Sequence, residues 1–134
     1  MRRPYVTADV FASAPFGGNP LAVVFDATGL SAAQMQSIAT EFNYSETTFV
    51  LPPRDSAHTA QVRIFTPRQE LLFAGHPSVG AAWAALDAGR VSAGSTRLVQ
   101  ECAAGLLPVA IEGDGDTRRP QVRAPRAQRV GAVV

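Results

Sequence analysis

The chain has 134 residues, 46% of them hydrophobic, and a formal net charge of +1. That length suits one domain with a real core, and the near-neutral charge gives no reason to expect nucleic acid or an anionic membrane as a partner. All twelve basic residues are arginine, which excludes a Schiff-base lysine or a phosphate-gripping lysine on this chain. No apolar run approaches the roughly 18 residues of a membrane span, and no secretory signal pattern follows Arg2 and Arg3. A cytoplasmic protein is expected, in keeping with a single cysteine, Cys102, read as a buried strand thiol.

Residues 5–11, YVTADVF, alternate in polarity as a strand does, and after the loop SAPFGGNP the run LAVVF at 21–25 reads as the next strand. A helix is predicted over 32–42. Ser31 and Gln34 have capping-box spacing, Leu30 and Met35 that of a hydrophobic staple, and Met35, Ile38, Ala39 and Phe42 share one face. TTFVLP at 47–52 is the following strand; PPRDSAHT is a polar loop in which His58 is expected to be solvated; AQVRIFTP at 60–67 is a further strand, and ELLF follows a short loop. GHPSVGAAWAALDAG has Pro77 in its first turn and Gly89 just past its end, and its small residues all round predict a central helix buried on every side. Strands TRLVQEC, LLPVAIEG and TRRPQVRA at 96–102, 106–113 and 117–124 close the pattern, with GDGD as a turn. The expected class is α+β, an antiparallel or mixed sheet curved around a central helix, with residues 1–126 as one domain and 127–134 as a tail or the start of an interdomain linker.

Three junctions interrupt the apolar pattern: FGGNP at 16–20, NYSET at 43–47 and FAGHPSVG at 73–80. Asn19 reads either as a turn residue or as a binding group, Ser45 as a turn hydroxyl or a pocket residue, and His76 as a helix cap or a proton-exchanging group. Free N–H groups at the start of the helix near Pro77 favour a bound anion such as a carboxylate, and Gly75 would let it approach closely. Glu46 is the sharpest candidate. A carboxylate entering a sheet beside Phe42 and Phe49 is partly desolvated, which suits general acid–base chemistry; the competing readings are an exposed edge residue or a partner of Arg63.

Taken in order, DVFASAPFGGNPLAVVFDA, MQSIATEFNYSETTFVLPP, VRIFTPRQELLFAGHPSVGAAWAAL and ECAAGLLPV resemble the N-terminal half of the PhzF family of phenazine-biosynthesis-like isomerases, related in fold to diaminopimelate epimerase and proline racemase. The resemblance implies a diaminopimelate epimerase-like domain, no metal or organic cofactor, a small carboxylated substrate, and a glutamate of the S-E-T stretch, here Glu46, that carries a proton between two carbons. It further implies that His76 and Gly75 hold the substrate and that Ser45 and Asn19 line the same pocket. Cys102 matches neither cysteine of the related epimerases. Family members close the site with a second domain to which nothing here corresponds, so either a homodimer or a complementary second-domain chain is expected as partner, or else a non-catalytic dimerising domain.

Overall fold

The computed structural model describes residues 2–122, so the predicted tail at 127–134 and the last residues of the strand expected over 117–124 lie outside the described residues. Eight strands form one sheet: β1 Tyr5–Val10, β2 Asn19–Val24, β3 Glu46–Leu51, β4 Ala60–Phe65, β5 Glu70–Leu71, β6 Arg97–Cys102, β7 Gly105–Glu112 and β8 Arg119–Val122. Helix α1 is Ala32–Phe42 and helix α2 is Gly75–Asp87. The strand order is β1-β2-β3-β4-β6-β7-β8, with β5 paired to β4 alone. Two neighbouring pairs, β2–β3 and β4–β6, are parallel and the others antiparallel. Both end strands of this order, β1 and β8, contact α2, so the sheet curls around that helix as an open half-barrel. The α+β class and the central helix are as the sequence predicts.

The central strands are buried on both faces because a helix covers each side. On β2, Leu21 and Val23 meet α2 through Ala81 and Ala84. Val24 faces the other way, into the core that Met35 and Ala39 of α1 share with Phe49 and Phe65. Phe49 and Phe65 meet edge to face at 5.5 Å, the favoured arrangement for aromatic quadrupoles. Strand β7 is covered on one side only: Leu107, Val109 and Ile111 point inward, and the residues between them are exposed.

The ends of α1 are set by local chemistry. Ser31 Oγ accepts from Gln34 N at 3.1 Å while Ser31 N donates to Gln34 Oε1 at 2.9 Å, which satisfies two otherwise orphan helix donors. At the other end Asn43 adopts a left-handed conformation (φ 52°) and donates its N–H to Ala39 O, stopping the helix three residues before β3 begins.

Three expectations need correction. Helix α2 is not buried on every side: Trp83 is 43% exposed, because the curled sheet leaves one flank of the helix open. Cys102 is half-buried at the last position of β6, where its thiol donates to Gly105 O across the β6–β7 turn at 3.1 Å. His58 is not simply solvated. The parallel β4–β6 pair sets Glu101 beside Gln61, within reach of the β3–β4 loop, and Glu101 accepts from His58 Nδ1 at 2.7 Å, Arg54 N at 2.6 Å and Asp55 N at 3.1 Å. The His58 hydrogen bond first, then the N–H of Arg54 and that of Asp55, hold the Glu101 carboxyl down to about 2.

A second clasp ties chain segments at the far end of α2. Arg90 grips Asp26 through two bonds of 2.9 and 3.0 Å and lies over the Phe25 ring at 4.4 Å. Arg3 donates to the carbonyls of Asp26 and Thr28. The Arg90 hydrogen bonds pull the Asp26 carboxyl below its ordinary value.

Candidate active site

Glu46 is the first residue of β3 and pairs in parallel register with Leu21 of β2. Side chains alternate along a strand, so Glu46 shares the α2 side of the sheet with Val50, which packs into the α2-facing core. Helix α2 reaches the same place because Gly80 lets it approach β1 and β2: a Cβ there would lie 2.3 Å from Leu21 Cδ2 and 2.9 Å from Val10 Cγ2. With the helix seated this closely, His76 Nε2 comes to 2.7 Å from Glu46 Oε2. The structure thus joins two motifs that lie thirty residues apart in the chain.

The geometry of this pair is unusual. Its side chains are only 15% and 14% exposed, yet neither Glu46 Oε2 nor His76 Nε2 has a hydrogen-bond partner among the described residues. The two atoms are close in distance but off the axis along which an imidazole N–H donates, so we treat the pair as a contact and not as a formed hydrogen bond. An enclosed donor and acceptor without good partners are ready to turn to a third group.

The remaining candidates gather at this end of the fold. Gly75 is the first residue of α2, and a Cβ added to it would meet nothing within 4 Å, so the space before the helix is open. Ala74 occupies the cap position and supplies no side-chain bond, and His76 lies in the first turn, so the cap reading of His76 does not hold. The first N–H groups of the helix, those of Gly75 and His76, therefore face that space and favour negative charge. Asn19 opens β2 two residues before Leu21, on the α2 side, while Ser45 immediately precedes β3; both are exposed. The loop before Asn19 is held by Gly17 N to Ala14 O at 3.1 Å and Gly18 N to Asp9 Oδ2 at 3.2 Å. Glu46 does not pair with Arg63, whose guanidinium is taken by Glu70 in two bonds of 2.8 and 2.7 Å.

A depression of about 480 Å³, lined by residues including Thr7, Asp9, Phe16, Pro20 and Tyr44, occupies the face of β1–β2 turned away from α2, and the Glu46–His76 pair lies outside it. Sequence reasoning passed over two buried polar residues near α2, Thr48 and Gln100, whose Oγ1 and Oε1 have no partner among the described residues. The signal was available for Gln100: it stands two residues after Leu98, at an inward-facing position of a strand that is otherwise apolar on that side.

A sheet curled about one helix is a fold shared with epimerases and racemases. A hydroxyproline epimerase from Agrobacterium vitis superposes with a TM-score of 0.69 over 87% of this chain and 39% of that one, at 15% identity, a likeness of fold alone. A PhzF-family phenazine biosynthesis protein from Bacillus anthracis gives a TM-score of 0.75 at 35% identity over 84% of this chain and 37% of that one. Residues 8–129 match the PhzC-PhzF family, described as phenazine biosynthesis-like protein, and the chain belongs to that family. Among its relatives is the trans-2,3-dihydro-3-hydroxyanthranilate isomerase of Pseudomonas chlororaphis, 63% identical over 78 residues that cover 58% of this chain and 28% of that protein. The chain spans about a third of the length of the curated relatives it matches.

Proposed function

We propose that this chain supplies one wall of a PhzF-like, cofactor-independent isomerase that moves a proton on a small carboxylated substrate, with Glu46 as the proton carrier. The observation that carries the reading is the enclosed, poorly partnered Glu46–His76 contact at the open N-terminus of α2. In the first step the substrate C–H bond breaks, its proton passes to the Glu46 carboxylate, and the electron pair shifts along the adjoining unsaturation. In the second step the Glu46 O–H bond breaks and the proton is delivered to the other carbon, so no electron is gained or lost. A carboxylate in low-dielectric surroundings suits both roles. His76 donates a hydrogen bond to the bound substrate, the N–H groups of Gly75 and His76 take its carboxylate, and Ser45 and Asn19 line the approach.

Gly75, Ser45 and Asn19 are exposed on this chain, so the proposal includes a second wall that excludes water, supplied by a complementary domain or by a second copy in a homodimer. The test is deuterium uptake from solvent into trans-2,3-dihydro-3-hydroxyanthranilate, the compound named for the Pseudomonas relative, by the assembled form with and without Glu46→Gln. Loss of general acid–base catalysis predicts a fall of about 10²–10⁴-fold. Uptake at the parental rate would rule out Glu46 as the proton carrier.

One observation favours a second reading, a self-associating domain that turns nothing over. Phe16, Leu72 and Leu106 are 98%, 70% and 58% exposed, apolar side chains that a second copy would cover. Sedimentation that finds association, together with absence of uptake in every assembled form, would favour that reading over the enzymatic one.

A further inference from the structure

The first turn of α2 carries His76, and although Pro77 and Ser78 in it are fully buried, it has no side-chain cap. Its cap residue, Ala74, makes no side-chain bond, a Cβ added at Gly75 would meet nothing, and Ser78 Oγ turns back to Ala74 O at 2.9 Å instead of reaching the sheet. The steric seat at Gly80 fixes how near the helix lies to β1 and β2. Within that seat, small rotations of the first turn decide where His76 points. Among the described residues, a single polar tether from the sheet reaches this turn: Gln100 Nε2, on β6, donates to Ser78 O at 3.1 Å, two residues beyond His76.

Gln100 is 4% exposed and lies among Leu98, Leu107 and other core residues. Ser78 O is positioned to accept an intrahelical bond as well, while Gln100 Oε1 has no partner among the described residues. An apolar side chain of equal size would therefore strand no group on the helix and would remove an unpaired oxygen, so stability alone does not call for glutamine here. Farther along α2 the interface is apolar, with Ala82 and Leu86 against Leu98, Val109 and Ile111. The tether stands at the end where the imidazole must be aimed.

We propose that Gln100 is a positioning residue for His76: by holding Ser78 O it sets the rotation of the first turn of α2 and hence the placement of the imidazole against Glu46. This rests on the function proposed above, but its test does not. The His76 ring ¹⁵N resonances are recorded at one fixed pH in four proteins: the parent, Glu46→Gln, Gln100→Met, and the double variant. In the parent background the Glu46→Gln change should shift the His76 resonances strongly; with Gln100→Met the same change should produce less than half that shift, while thermal unfolding is as cooperative and as late as in the parent. Gln100→Asn, which stays polar but is too short to reach Ser78 O, should behave as Gln100→Met does.

An undiminished His76 response in Gln100→Met and Gln100→Asn would overturn the proposal. So would failure of both variants to fold, which would make the residue structural. In the assembled form the two variants should slow deuterium uptake by on the order of 10- to 100-fold, as expected for a misplaced catalytic group. Absence of uptake in the parent, with the resonance result intact, would count against the proposed reaction and leave the positioning role standing.

Discussion

Two glycines of α2 should respond to alanine in opposite ways. At Gly80 the new methyl would lie 2.3 Å from Leu21 Cδ2 and 2.9 Å from Val10 Cγ2. Carbon atoms in contact sit at about 3.5–4.0 Å, so the helix must retreat by about 1 Å or Leu21 must leave its rotamer. Leu21 is fully buried in the α2-facing core, which places Gly80→Ala toward the upper end of the ~1–3 kcal/mol cost of overpacking. The greater helix propensity of alanine returns up to ~1 kcal/mol, leaving a net loss of about 1–2 kcal/mol and a fall in Tm of about 3–10 °C. At Gly75 nothing lies within 4 Å of the added carbon, so Gly75→Ala should be neutral or stabilising by up to ~1 kcal/mol. Thermal and urea unfolding of the two variants side by side gives the comparison. If Gly80→Ala were as stable as Gly75→Ala, the close seating of α2 on β1 and β2 would be wrong, and with it the explanation of why His76 reaches Glu46. In the assembled form the functional order reverses for Gly75→Ala, which should lose deuterium uptake while keeping its fold.

Ser31→Ala removes the Oγ that accepts from Gln34 N, leaving the backbone bond from Ser31 N to Gln34 Oε1, and should cost about 1 kcal/mol, seen as a lower urea midpoint at unchanged slope. Glu101 gives a signed pH dependence. Its folded value of about 2 lies below the ordinary 4.5, so the unfolded chain binds more protons between these limits and stability rises with pH across them. The contribution is complete above about pH 4.5 and lost as pH falls toward 2; Glu101→Gln should flatten the stability profile in that window and speed amide exchange at Arg54 and Asp55 at neutral pH. An unaltered profile would show that the carboxylate does not hold the β3–β4 loop.

Much of the architecture was legible because local signals agreed with one another. The Ser31–Gln34 cap and the staple gave α1 its start, and Phe42 closed its apolar face at the residue where the helix ends. Pro77 and Gly89 marked α2 to within a few residues, Gly89 taking the left-handed φ of 66° expected just past the end. What composition could not give was which side of a helix a curved sheet leaves uncovered, and so Trp83 was misplaced. His58 was misread for a related reason: its partner, Glu101, lies 43 residues away, brought near by the parallel β4–β6 pairing. Within the candidate site each motif was visible singly, but the contact between Glu46 and His76 depends on the seat at Gly80, and no spacing rule encodes that depth.

The parallel register of β2 and β3 also limits how the chain between them can change in length. Glu46 faces α2 only while it stands opposite Leu21. Adding or removing one residue in the connection at 43–45 would flip every side chain of β3, pointing the carboxylate toward α1 and pressing Phe49 against α2. Two added residues would restore the face but carry the carboxylate about 6–7 Å along the strand, beyond the reach of His76. The short joint after Asn43 therefore has little tolerance for insertion or deletion, whereas the loop at 52–59, held at its side by Glu101, can vary without moving the carboxylate.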